Sequence, residues 1–403
     1  MKRLILTLLV VFSALFQVSA QSLGYSVRGK VTDAGNGKPL ESVSVSVPGK
    51  NFATVSNADG EFSIKSDVPL TELVFTHLGY RVAKVRVDGD YLRVKLRGEA
   101  LSIDESVVRY GNARQVLQEA IASISQNYPS SPELLESFYR ETVRKKSRYT
   151  YVSEAVARLY KTSYTRGVNA DAAALEKSRV LLSQRRRDTL SVKMMGGPTQ
   201  AVVMDPVKNM DVLLDPEFLS LYRMEMAPAV FIGDRPQYVV KISPGVVSDY
   251  ALYFGTLYID RETLAFTRME LSLDMSNQAE VTRMILVRKP RGLRFTPKEV
   301  NLTVSYRPSG GKYHLSYLKT EFRFNCDWKK RLVATSYTVL NELVVTDISQ
   351  EAVPIPRSER FSARDALSEK TAFFQDPDFW KDYNIIEPTE SLEHAIGKLK
   401  KTK

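Results

Sequence analysis

The residues able to do chemistry are few in this chain, and their spacing does not suit catalysis. There are three histidines, His77, His314 and His394. A zinc peptidase needs ligands at close spacing, such as two histidines four residues apart with a glutamate beside the first. None of the three sits in such a pattern. His77 is followed by Leu78, Gly79 and Tyr80, so it lacks the glutamate three residues on that a zinc carboxypeptidase shows. No Gly-x-Ser-x-Gly elbow exposes a serine nucleophile. Ser309-Gly310-Gly311-Lys312 lacks the spacing of a phosphate loop and reads as a hairpin turn. The single cysteine, Cys326, cannot form an internal disulfide, and it falls on the apolar face of a strand. A buried free cysteine behaves as a small hydrophobe. Carboxylates are plentiful, but sequence does not pair them in space, so a glycosidase-like pair stays open. The expectation is a protein with no catalytic residues, no metal and no cofactor.

Two features suit binding instead. Six of the ten methionines, Met194, Met195, Met204, Met210, Met224 and Met226, fall within one segment. Methionine is flexible and polarisable, and it adapts to irregular apolar ligands. Met204, Met210, Leu213, Met224 and Met226 are therefore candidate lid residues over a lipid pocket. The plain alternative is a helical cover on a closed core. Two basic runs, Arg144-Lys145-Lys146-Ser147-Arg148 and Arg185-Arg186-Arg187, offer guanidinium forks to phosphate. Arg185, Arg186 and Arg187 are candidate head-group contacts. Solvated strand ends are the alternative.

Strands must position these residues. Val43, Val45 and Val47 alternate with Ser42, Ser44 and Ser46, the period of a half-buried strand. Asn57-Ala58-Asp59-Gly60 is a hairpin turn. Asn112 can cap a helix, with Gln115 at the capping-box position and Val116, Leu117, Ala120, Ile121 and Ile124 on one face. Residues 97–111 read as a linker. From about 136 to 348 the texture is β-rich: 138–143 with 149–160, then 180–188, 238–242, 250–259 and 264–275 read as strands. Val300, Leu302, Val304 and Tyr306 alternate with Asn301, Thr303 and Ser305. Leu318, Thr320, Phe322, Phe324, Cys326 and Trp328 share another face. One apolar and one polar face, repeated along successive hairpins, predict a large antiparallel sheet. Segment 189–235 reads as the short helices and loops that cover it. In the tail, 361–374 is one candidate helix, and Leu392, Ile396 and Leu399 give a final helix its apolar stripe.

Two resemblances follow from these residues. Val27-Arg28-Gly29-Lys30-Val31, the turn Gly37-Lys38-Pro39-Leu40, Asp59-Gly60 and the closing Leu73, Phe75, His77 and Gly79-Tyr80 resemble the carboxypeptidase-regulatory-like domain. That is a transthyretin-like β-sandwich common in envelope proteins of the Bacteroidota. The resemblance implies an accessory domain outside the cytoplasm, not a peptidase. The phrase Asp376 to Glu390 is similar to tails of related envelope proteins. The middle region, with Tyr238-Val239-Val240-Lys241-Ile242 and Gly255-Thr256-Leu257-Tyr258-Ile259-Asp260, is similar to the LolA-like half-barrel of periplasmic lipid and lipoprotein carriers. That implies a curved sheet plugged by short helices.

Residues 1–20 look like a signal peptide: Lys2 and Arg3, an apolar core from Leu4 to Phe16, then Val18-Ser19-Ala20. Removing Lys2 and Arg3 lowers the formal net charge from +11 to +9. A basic exported chain suits anionic membrane surfaces, although ordinary solubility charge explains it too. Export removes the protein from nucleic acid. The expected fold class is mainly β, α+β overall: a β-sandwich plus a curved antiparallel half-barrel sheet with covering helices. The expected layout is signal peptide 1–20, sandwich 21–97, linker and helix 98–135, half-barrel 136–350 with plug 189–235, and helical tail 351–403. The leading reading is a non-enzymatic protein of the periplasm or the periplasmic face of the outer membrane. It would bind a lipid, a lipoprotein or an outer-membrane protein, with peripheral membrane contact and no transmembrane segment. The alternative is a structural or protein-interaction module with a closed core. An exported hydrolase has the least support.

Overall fold

The structure is a computed structural model that describes residues 24–99, 112–183, 185, 190, 192–328, 334–349, 351–362, 365, 367, 380 and 383–401. The signal-like residues 1–20, most of residues 97–111, Arg186, Arg187 and most of the candidate helix 361–374 lie outside the described residues.

The N-terminal sandwich has two sheets. β1 (Tyr25–Asp33), β4 (Glu61–Ser66) and β7 (Tyr91–Leu96) form one, with β1 pairing antiparallel to β4 and parallel to β7. β2 (Ser44–Ser46), β3 (Ala53–Val55), β5 (Glu72–Thr76) and β6 (Ala83–Arg86) form the other. Their inward residues, including Val31, Val43, Val45, Phe62, Ile64, Leu73 and Phe75, make a closed core. Gly60 takes φ +76°, as its hairpin turn requires.

The second body is one sheet of ten antiparallel strands. Its order is β10 (Ala172–Leu182), β9 (Arg148–Lys161), β8 (Glu133–Lys145), β19 (Thr335–Ser349), β18 (Lys312–Trp328), β17 (Leu293–Ser309), β15 (Phe266–Leu273), β14 (Tyr253–Asp260), β13 (Arg235–Pro244) and β12 (Tyr222–Ile232). The sheet is curved and stays open instead of closing into a barrel. The mainly β class read from the alternation is therefore present. The Ser309–Lys312 hairpin is present too, with Gly310 and Gly311 both at positive φ.

One face of this sheet packs a large apolar core. Helix Ala113–Ala122 lies in that core, with Val116, Leu117 and Ala120 buried. Asn112 caps it as expected, accepting from the Arg114 N–H, but Gln115 bonds Glu119 instead of completing a capping box. Segment 192–221 packs on the same core through Val202, Val207, Leu213 and Leu214. Three sequence readings need correcting. The cover ends at Leu221: Tyr222–Ile232 is the edge strand β12 and Arg235 opens β13, so Met224 and Met226 belong to the sheet. The strand read from Val180 opens eight residues earlier, as β10 (Ala172–Leu182), because its register is set by long pairing with β9; 184 and 186–188 lie outside the described residues. Trp328 is not buried with its face-mates but 38% exposed, at the far end of β18.

The tail straps the other face. Arg140 on β8, Glu154 on β9 and Arg179 on β10 are cross-strand neighbours and form a buried ion triad, with Arg140–Glu154 at 2.7 Å and Arg179–Glu154 at 2.6 Å. Burial pushes the Glu154 carboxyl upward, but the two guanidiniums outweigh it and hold it below its usual value. The Trp380 indole N–H donates to the same carboxylate at 3.1 Å, and Arg140 donates to the Ile386 carbonyl at 2.6 Å. The strap also holds the sandwich. The Lys65 ammonium donates to the Trp380 carbonyl at 2.6 Å, and Asn384 exchanges two hydrogen bonds with the Lys65 backbone. Helix Glu390–Lys401 follows, with Leu392 and Ile396 buried on Val152 and Leu181 and Leu399 packed beside them.

Removing the middle charge of a buried triad leaves two guanidiniums uncompensated. Glu154→Gln is expected to destabilise the protein by about 3–5 kcal/mol, read as a lower denaturation midpoint in urea.

Candidate functional site

The lid candidates come together on one core. Leu213 is fully buried in it, and Met204, Met210, Met224 and Met226 pack half-buried against it. The cover between Met204 and Met210 is pinned by charges that the sequence reading missed. Asp205 pairs with Lys161, both without solvent exposure, and accepts from the hydroxyls of Tyr164 and Tyr306. The Lys208 ammonium donates to the carbonyl and hydroxyl of Thr162, each at 2.9 Å. The signal was present as Asp205-Pro206-Val207-Lys208, but its partners lie up to 101 residues away. Arg185 is exposed just beyond β10 and no contact ties it to the methionines.

A polar row crosses the core face. Ser153, Glu141, Asn341 and Thr320 are successive cross-strand partners, and Gln200 of the cover reaches Asn341 at 3.0 Å. Glu141 has no cation beside it. Burial raises its carboxyl to about 7, against a counteracting hydrogen bond from the Tyr139 hydroxyl at 3.0 Å. That hydroxyl also accepts from Gly197 N–H at 2.8 Å. Gly197 sits at φ +83° with the Phe361 ring 2.3 Å from where a Cβ would stand, so only glycine fits.

The opposite face carries a charge ladder. Arg179, Glu154, Arg140 and Glu342 are its covered half, beneath strap and sandwich. Lys319, Thr303, Glu270, Thr256, Lys241 and Glu225 continue it, strand by strand, to β12. The whole row holds four carboxylates and four cations, alternating so that neighbours attract. Its second half is open. It floors a trough of about 770 Å³, walled on one side by Glu41 and Ser42 of the sandwich. Lys319 bonds Glu41 across that wall, and Arg268 bonds Glu270 at 2.8 Å. Arg323 holds Glu299 and Glu321 at the rim.

The sandwich thus forms part of the site. Residues 27–108 match the CarboxypepD_reg-like domain family. That domain also bounds a second cavity of about 290 Å³ against the sheet, lined by Thr54, His77, Gln237, Thr267 and Arg307. His77 Nδ1 has no protein partner there, and burial lowers the imidazole's proton affinity. His314 instead pairs with Glu133 at 2.6 Å. Among the described residues no group of three or more histidine, cysteine or acidic side chains is placed to hold a metal. Cys326 is buried and its thiol is pushed up to about 12, by burial first and by Asp327 second.

Comparison with curated proteins gave no match. Among solved structures, one is a domain from Vibrio parahaemolyticus described as an outer membrane lipoprotein-sorting protein. It is 11% identical, with 60% of this chain and 95% of that chain covered and a TM-score of 0.27. The LolA superfamily protein NE2245 from Nitrosomonas europaea is 12% identical, with 62% and 97% covered and a TM-score of 0.22. A protein from Bacteroides fragilis, described as membrane-associated and of unknown function, is 9% identical, with 81% and 98% covered and a TM-score of 0.15. At such low scores these likenesses carry no argument about what the chain does. No helix among the described residues is long and apolar enough to cross a membrane.

Glu141 yields a prediction. Its carboxyl is raised from 4.5 to about 7 on folding, so the folded state binds that proton more tightly than the unfolded chain. The resulting stabilisation is full below about pH 4.5 and is lost as pH rises through about 7. Glu141→Gln is expected to remove this loss, gaining up to roughly 3 kcal/mol over wild type above neutrality and little in acid. Urea unfolding of both proteins across that range checks it.

Proposed function

We propose that this protein is a binding module of the cell envelope, whose trough takes an extended polypeptide segment of a partner. One observation carries the reading: the trough is the uncovered continuation of the ladder that already holds a segment of this chain's tail. On the covered half, Arg140 and Lys65 take the strap's carbonyls, and a carboxylate takes its Trp380 N–H. The open half offers the same groups, with Lys241 and Arg268 as donors and Glu225 and Glu270 as acceptors. The cover on the other face, pinned by Lys161–Asp205 and Lys208, suits a closed core rather than a swinging lid. The envelope location rests on the signal-like residues 1–20 and on the CarboxypepD_reg-like domain.

A second reading keeps the lipid carrier, with Met204, Met210 and Leu213 in the lid, Met224 and Met226 on the edge strand β12, and Arg185, Arg186 and Arg187 at the head group. It is favoured by the methionines sitting half-buried at the seam between cover and core.

Photo-crosslinking separates the two. With p-benzoylphenylalanine at Thr256, on the trough floor, the module reading expects one discrete protein adduct from the native envelope. Charge removal by Lys241→Gln should weaken that adduct severalfold while shifting stability by less than about 1 kcal/mol, since it sets no like charge against Glu225. No adduct, together with a lipid mass released in native mass spectra after organic extraction, would replace the module with the carrier.

A further inference from the structure

The strand directions gather a set of unexplained exposed side chains at one end of the ten-stranded sheet. Pro244, Tyr253, Leu273, Leu293, Trp328 and Lys145 all lie at that end, as their register partners show. The loop between β13 and β14 carries Val246 and Val247 there, and Val247 is 104% exposed. Tyr250 on the same loop is 58% exposed, its ring edge-on to Phe218. The Asp249 carbonyl accepts from Asn277, which joins this loop to helix Gln278–Ile285 and its exposed Met284. Strand β16 (Leu286–Arg288) then exposes Val287, and Trp328 stands opposite Leu293 on the next hairpin. Most large apolar side chains of the described surface that stand exposed belong to this one end.

The charge around them is mostly positive, with Asp249, Asp274, Glu280 and Asp327 as the carboxylates among it. Residues 283–294 hold Arg283, Arg288, Lys289, Arg291 and Arg294 and no carboxylate. Arg288, Arg291 and Arg294 are exposed. The β8–β9 hairpin turn adds Lys146, exposed at φ +57°, beside Lys145 and Arg148. The first of the two basic runs thus has a place in the fold.

We propose that this end is a membrane-docking surface for anionic lipid. The geometry fits a bilayer better than a protein partner: the apolar residues project from loop tips instead of lining a groove. Val246, Val247 and Tyr250 enter the acyl boundary, while Arg288, Arg291 and Arg294 meet lipid phosphates. The trough opens on a sheet face, not at this end, so docking leaves it accessible.

Co-sedimentation with vesicles tests this on the purified protein. Vesicles of phosphatidylglycerol and phosphatidylethanolamine are compared with phosphatidylcholine alone, at low and high salt. The expected result is salt-sensitive binding to the anionic vesicles only. Arg288→Gln with Arg291→Gln should weaken it roughly 25-fold, about fivefold for each cation lost. Val247→Asp should weaken it roughly tenfold or more by removing the inserted side chain. Lys241→Gln, in the trough and away from the loop tips, should change vesicle binding by less than about twofold, so failure here is distinct from failure of the trough reading. Brominated acyl chains should quench Trp328 fluorescence, which a loss of fold in a variant does not mimic. Equal binding to both vesicle types, no binding, or anionic binding that survives both sets of loop variants would overturn the proposal.

Discussion

The structure turns on the buried triad of Arg140, Glu154 and Arg179 beneath Trp380. Three charges taken from water are tolerable only when each meets a partner in close geometry. Strand register supplies that geometry, since the three residues stand side by side on β8, β9 and β10. The triad then becomes a receptor for the chain's own tail. Arg140 takes the Ile386 carbonyl, Glu154 takes the indole N–H, and the Arg179 guanidinium lies over the Trp380 ring, 5.5 Å from its centre. The same strap bonds Lys65, Thr54 and Asn57 of the sandwich. One charge cluster therefore fixes where the tail lies, and the tail, together with the direct bonds of Lys319 to Glu41 and of Arg307 and Ser309 to Asn51, fixes where the N-terminal domain sits.

That placement divides the labour between the two faces of the sheet. The core face is sealed by a cover that buried lysines hold down. The other face is half occupied, by strap, sandwich and final helix. The remainder is a polar trough whose floor repeats the chemistry beneath the strap. The sandwich does not carry the site alone; it supplies a wall through Glu41 and bounds the smaller cavity through His77. The apolar and basic loops lie at the sheet's end, separate from both faces, so the proposed attachment would not compete with the proposed partner for the same surface.

Much of the fold was legible in local pattern. Alternation at 43–47, 300–306 and 318–326 named the buried faces because a strand's side chains obey period two wherever one face is dry. Turn chemistry at Asn57–Gly60 and Ser309–Lys312 was readable because positive φ is a local requirement. Trp328 and β12 were misread where the pattern continued but the burial or the pairing did not.

The site itself was not legible. Each ladder residue is one ordinary polar residue in the middle of one strand, and nothing local marks Lys241 or Glu270. Their alignment depends on which strands pair and in what register, and β8 pairs with β19 across about 200 residues of chain. The pinned cover is a similar case, since Asp205 finds Tyr306 only once the sheet has formed. Sequence alone determined which faces would be apolar, because that is a local balance between side chain and water. Tertiary structure decided which charges meet, because an ion pair depends on distance in space and not on separation along the chain.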